Sequence, residues 1–143
     1  MATQVVYWDA SAILSVVVRN AHTEGARGWY RQDAVHLIST LALAETCAVL
    51  AELERGGTLT DAQAAEAKDV ILAPPFQRTS LSPSWDDLRS LSMLHSLRGA
   101  DLWHLSLARA LKSKYFPEIR LLTYDTRLKA AATREDLATT AIG

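Results

Sequence analysis

The chain has 143 residues, 49% of them apolar, with a formal net charge of −1 and one cysteine. That length fits a single domain over residues 1–143 with one sizeable core, and the apolar content excludes an intrinsically disordered chain. The charge excludes attachment to nucleic acid by bulk attraction alone, though not a local basic patch. The lone Cys47 excludes an intrachain disulfide framework and a cysteine-based zinc site; in its Ala/Leu-rich surroundings it reads as a small buried hydrophobe.

No basic stretch followed by an apolar run is visible at "MATQVV", and no apolar run reaches spanning length, so a soluble, cytoplasmic protein is expected. "QVVYW" is a compact β-branched and aromatic run and predicts a buried strand. A short apolar helix follows from Ala10 to Arg19. "HTEGARGWYRQ" predicts a second helix, started by Thr23 and weakened by Gly25 and Gly28. "AVHLIS" is a second strand. "TLALAETCAVLAELER" is a strong helix that Gly56-Gly57 ends. Thr60 and Gln63 form a capping box ahead of "AQAAEAKDVILA", which Pro74-Pro75 closes. "FQRTSLS" is a third strand. Ser84, with Asp86 and Asp87 behind it, opens a helix predicted to run to Arg98 and stop at Gly99. Asp101 opens "LWHLSLARALKSK", "IRLLTY" is a fourth strand, Asp125 opens "TRLKAAATR", and "LATTAI" is a candidate last edge strand.

Short apolar strands alternating with helices predict an α/β sandwich around a mostly parallel sheet of four to five strands. Binding groups in such sheets gather at the carboxyl ends of the strands. Asp9 directly follows the first strand and Asp125 the fourth. Each acid taken alone is equally well explained as a helix cap, and so is Asp101. Glu45 is not, because it lies inside a helix with Leu41 and Val49 at i−4 and i+4. Its plain alternative is a solvated stripe shared with Glu52. Taken together the four are more telling. Two carboxylates about 5 Å apart repel by roughly 3 kcal/mol at an effective dielectric of ~20. Several must therefore hold protons or take up a cation. Oxygen-only ligands suit Mg2+ or Mn2+, and such a set points to metal-assisted phosphodiester hydrolysis.

"VVYWDASAIL", "LALAET", "RGADLWHLSLARAL" and "LLTYDTRLKAAA", in this order and spacing, resemble the PIN-domain nucleases, and among them the VapC-like toxins of bacterial toxin–antitoxin pairs. The resemblance implies a three-layer sandwich. It also implies a Mg2+- or Mn2+-dependent endoribonuclease whose acidic site comprises Asp9, Glu45, Asp101 and Asp125. Asp9 and Asp101 would be the principal metal ligands, with Glu45 and Asp125 completing the set. Ser11 and Thr123 fall at the family's small-hydroxyl positions. The implied partners are an RNA substrate, a small antitoxin lying across the site, and a second copy of the chain in a homodimer.

RNA reaching an acidic pocket requires positive charge at the rim, for which Arg19, Arg27, Arg31, Arg98, Arg109, Lys112 and Lys114 are candidates. Trp29, Tyr30, Trp85 and Trp103 could stack on bases, with core packing as the plainer role. His104, at i+3 from Asp101, reads as a packed or near-surface histidine. His22, His36 and His95 have no ligand spacing. There is no G-x-S-x-G, no G-x-x-x-x-G-K-[ST] and no G-x-G-x-x-G, which counts against a serine nucleophile and a nucleotide cradle. Ser11 stands where a haloacid-dehalogenase-like phosphatase has its second Asp. A non-catalytic module of the same fold, binding protein or RNA, is the alternative.

Overall fold

A computed structural model of the chain describes residues 3–140. Four parallel strands, β1 (Val5–Trp8), β2 (Val35–Ser39), β3 (Phe76–Thr79) and β4 (Arg120–Leu122), form one sheet in the order β3-β2-β1-β4. Among the described residues seven helices cover it: α1 (Ala10–Val17), α2 (Thr23–Tyr30), α3 (Thr40–Arg55), α4 (Asp61–Ile71), α5 (Trp85–Leu94), α6 (Gly99–Lys114) and α7 (Thr126–Arg134).

The three layers follow from the strand period of two. Along β1, Val5 and Tyr7 enter one apolar cluster with α5, α6 and α7, while Val6 and Trp8 enter another with α1 to α4. Leu37 and Ile38 on β2, and Leu121 and Leu122 on β4, divide in the same way. A strand buried on both faces reads as a continuous apolar run, which is why these segments show no polar alternation.

Local signals set most element ends. Asp9, Ser39, Thr60, Ser84 and Asp125 each cap the helix that follows by accepting a backbone N–H bond, and Thr60 with Gln63 completes a capping box. Gly57, at φ +79°, supplies the left-handed residue beyond the end of α3.

Several boundaries are shorter than the sequence reading, α1 ending at Val17, β3 at Thr79 and β4 at Leu122, and two regions differ more. The helix expected to reach Arg98 ends at Leu94, and Gly99 begins α6 rather than stopping α5. His95 is already extended, and its buried ring bonds Glu135, 2.8 Å away beyond the end of α7, so a tertiary contact draws the chain off the helix. As a result Asp101 lies in the first turn of α6, and Arg98 holds the cap position without a side-chain bond. The "LATTAI" segment contributes a single parallel bridge, Ala138 to Leu121, and no strand among the described residues; its last residues lie outside them. A three-residue β4 offers little edge to extend.

Candidate active site

From β1 the chain crosses to β2 and β3 on one side, and β4 then lies on the other side of β1. That reversal opens a crevice at the carboxyl ends of β1 and β4. Asp9 leaves β1 there, and its backbone N–H bonds the Leu122 carbonyl at 3.2 Å.

The Asp9 carboxylate is 4% exposed. Its Oδ1 accepts from Ser11 Oγ at 2.7 Å and from the Ala12 N–H at 2.9 Å, and its Oδ2 accepts from Thr123 Oγ1 at 2.6 Å. Ser11 Oγ also accepts from the Tyr124 N–H, and Thr123 Oγ1 from the Asp125 N–H. The two hydroxyls thus tie the β1 and β4 loops together around one acid. Burial nevertheless holds the Asp9 pKa above the ordinary aspartate value, against the lowering effect of Thr123, Ser11, Ala12 and His104. The capping and site readings of Asp9 are compatible, since Oδ1 caps α1 while Oδ2 faces Thr123.

Asp101 is half-buried. Burial raises its pKa first; the charges of Asp125, Asp9 and Glu45 raise it further, and His104 opposes them. All four candidate acids therefore share one electrostatic neighbourhood. Asp125 Oδ1 caps α7 through the Leu128 N–H at 2.9 Å. Among the described residues, Asp9, Asp101 and Asp125 form no ion pair with any Lys or Arg.

Glu45 turns inward while Glu52 stays exposed, so the two do not share a solvated stripe. Its Oε1 lies 2.6 Å from His104 Nε2. The reading of His104 as merely packed or near-surface missed its role. The ring is 1% exposed, and its Nδ1 lies 2.6 Å from the Tyr7 hydroxyl, which is 2.8 Å from Ser39 Oγ. Ser39 Oγ in turn accepts the Ala42 N–H that starts α3. A neutral imidazole with its proton on Nε2 satisfies every group: Ser39 donates to Tyr7, Tyr7 to Nδ1, and Nε2–H to the carboxylate. Tyr7 and Ser39 did not stand out in the sequence. The usable signal was a tyrosine in a wholly buried strand, whose hydroxyl must find a partner.

Asp9, Glu45 and Asp125 each have their own hydrogen-bond partners, Thr123 with Ser11, His104, and the Leu128 N–H. Among the described residues, no three His, Cys, Asp or Glu side chains form a group that could hold a metal ion. The chemistry of the donor set is all oxygen, however, with no Lys or Arg compensating it, and fits a hard divalent cation. No helix among the described residues is long and apolar enough to cross a membrane.

A parallel α/β sheet with acids at the switch point between its strands defines a class of strand-end acidic sites. Within that class the assignment is direct: a model of the PIN domain family matches residues 6–133, and the chain belongs to that family. Two solved structures share the fold. Mycobacterium tuberculosis VapC20, described as a sarcin-ricin loop cleaving toxin, superposes with a TM-score of 0.61 at 17% identity, over 88% of this chain and 94% of that one. The Pyrobaculum aerophilum protein PAE2754 superposes with a TM-score of 0.65 at 21% identity, over 99% of this chain and 91% of that one. No curated protein sequence matches the chain.

Proposed function

We propose that this chain is a Mg2+- or Mn2+-dependent endoribonuclease, the toxin of a toxin–antitoxin pair. The observation that carries the reading is the acidic crevice at the carboxyl ends of β1 and β4, where no Lys or Arg pairs with Asp9, Asp101 or Asp125 and where burial first, then the charges of Asp125, Asp9 and Glu45, raise the Asp101 pKa. Such a cluster either retains protons or takes up a cation. The toxin role is supported by fold likeness to a protein described as a sarcin-ricin loop cleaving toxin.

Asp9 and Asp101 are the principal ligands in this reading, with Glu45 and Asp125 completing the set directly or through water. A divalent ion held by these residues would supply a water of lowered pKa and charge neutralisation at the scissile phosphate. The chain's own residues do the rest. Ser11 and Thr123 orient the Asp9 carboxylate by donating to both of its oxygens. His104 holds Glu45 Oε1 and leaves its other oxygen for the site. The N-terminus of α6 favours the ionised form of Asp101, which sits in its first turn.

The test is incubation of the purified chain with labelled structured RNAs and Mg2+ or Mn2+, with EDTA as control. Cleavage that requires the metal and is abolished in folded Asp9→Asn and Asp101→Asn variants is expected. Wild-type cleavage rates in both variants refute the site, and binding of RNA or antitoxin without cleavage selects the non-catalytic module.

A further inference from the structure

One cavity lies beside the acidic crevice and is not used by the mechanism above. It has a volume of about 300 Å3, and its lining includes His95, Leu97, Arg127, Ala130 and Arg134. Its position follows from two contacts at opposite ends of α7. His95 bonds Glu135, just beyond the C-terminal end of that helix. Four residues after His95, α6 begins, and its Asp101 feels the charge of Asp125, the N-cap of α7. The extended segment 95–98 therefore lies along α7, and the groove between them includes Arg127, two residues from Asp125. At 1.5 Å per residue the nine residues of α7 span about 13 Å.

Arg127 and Arg134 are seven residues apart, on one helix face, with the small Ala130 between them. Neither forms an ion pair among the described residues, although Lys112, Arg109 and Arg120 all lie near carboxylates. Glu135, the carboxylate that bonds the groove's His95, is held by that ring at 2.8 Å and faces Arg109 at 3.8 Å. The wall thus keeps two uncompensated guanidinium groups. His95 adds an anomaly: its ring is buried, and its Nδ1 has no hydrogen-bond partner. Native structures seldom leave such an atom unpaired without a reason. Planar forks of N–H donors match phosphate oxygens, and a net positive groove with Arg127 two residues from Asp125 suits a polyanion whose scissile phosphate must approach the acidic site.

We propose that this groove binds the sugar-phosphate backbone of the RNA strand flanking the cut, with Arg127 and Arg134 contacting its phosphodiesters. The proposal rests on the ribonuclease reading. Arg127 lies two residues from Asp125, so it meets the strand nearest the site, and Arg134 meets it about 10 Å further along the helix.

The experiment measures binding of a labelled single-stranded RNA to Asp101→Asn, which is cleavage-deficient in that reading, by fluorescence anisotropy in Mg2+ at several salt concentrations. The same measurement is made with Arg127→Ala/Arg134→Ala and Arg127→Lys/Arg134→Lys added. Two lost phosphate contacts should lower the log–log salt slope by about 1.4 and weaken binding about tenfold at low salt. The loss of affinity between about 50 and 200 mM salt should then be about sevenfold smaller than in the parent. The lysine pair should keep the salt slope. Inorganic phosphate alone should shift the NMR signals of His95 in the parent and not in the alanine pair, which separates a free-anion site from one needing a strand. Unchanged RNA affinity and slope in the folded alanine pair overturn the proposal, even if phosphate binds or a protein partner is lost. Absence of RNA binding by the parent instead overturns the ribonuclease reading, and the groove proposal with it.

Discussion

Replacing His104 by Phe removes the bonds between Tyr7 and Glu45 while filling most of the ring's volume. The cost can be worked from the two 2.6 Å hydrogen bonds. The Tyr7 hydroxyl is wholly buried and would keep only Ser39, so its proton loses its acceptor, at about 1–3 kcal/mol. Glu45 loses a charge-assisted bond of the class worth about 1.5–3 kcal/mol, of which water recovers part because its side chain is 32% exposed. The sum is about 2–4 kcal/mol. Urea denaturation checks it, as part of a double-mutant cycle with Tyr7→Phe. Tyr7→Phe alone should cost less, because His104 keeps Glu45, and the double variant should cost less than the two singles together by at least about 1 kcal/mol. Cleavage should fall in His104→Phe, and its metal affinity should drop as Glu45 loses its orientation. A loss of under about 0.5 kcal/mol, the range of ordinary surface substitutions, with additive singles would refute the coupled chain.

The raised Asp101 pKa has a sign that can be tested. Above the ordinary value of 3.8 the folded chain binds more protons at this site than the unfolded one, so stability from this group falls as pH rises toward neutrality. Asp101→Asn should therefore raise the thermal midpoint at neutral pH in EDTA while abolishing cleavage, with a gain that shrinks as the solution is acidified; a lowered midpoint at neutral pH would contradict this. Thr123→Val removes the 2.6 Å bond to Asp9, and unfolding at neutral pH should show a loss of about 2 kcal/mol that diminishes in acid as Asp9 takes up a proton. His36 accepts from the Trp8 indole at 3.0 Å and reaches the Gln32 carbonyl at 3.0 Å, an arrangement that requires the neutral ring. Burial lowers its pKa, against the Gln32 bond, so its contribution to stability is complete above 6.5 and is lost as pH falls toward the lowered folded value. NMR titration should find the ring still neutral just below 6.5, and protonation at or above that value would refute the assignment.

Much of this protein is written locally. Capping residues at Asp9, Ser39, Thr60, Ser84 and Asp125 start helices through bonds within three residues, and Gly57 ends one through its own backbone freedom. The apolar runs of β1, β2 and β4 announce strands buried on both faces, and the four acids could be picked out because two follow strands, one opens a helix and one, inside a helix, cannot be a cap. The sequence did not reveal which polar groups meet. His104 and Glu45 are 59 residues apart, and Tyr7 and His104 are 97 apart. No periodicity encodes such pairs, because partners are chosen by sheet order and by which face of α6 packs inward. The same holds at His95, where a bond to Glu135, 40 residues on, overrides the helical pattern and moves Gly99 from a stop to a start. Local chemistry supplied the acids; the switch in strand order between β1 and β4 brought Asp9 and Asp125 to neighbouring strand ends, and the packing of α3 and α6 against the sheet added Glu45 and Asp101 to the same field.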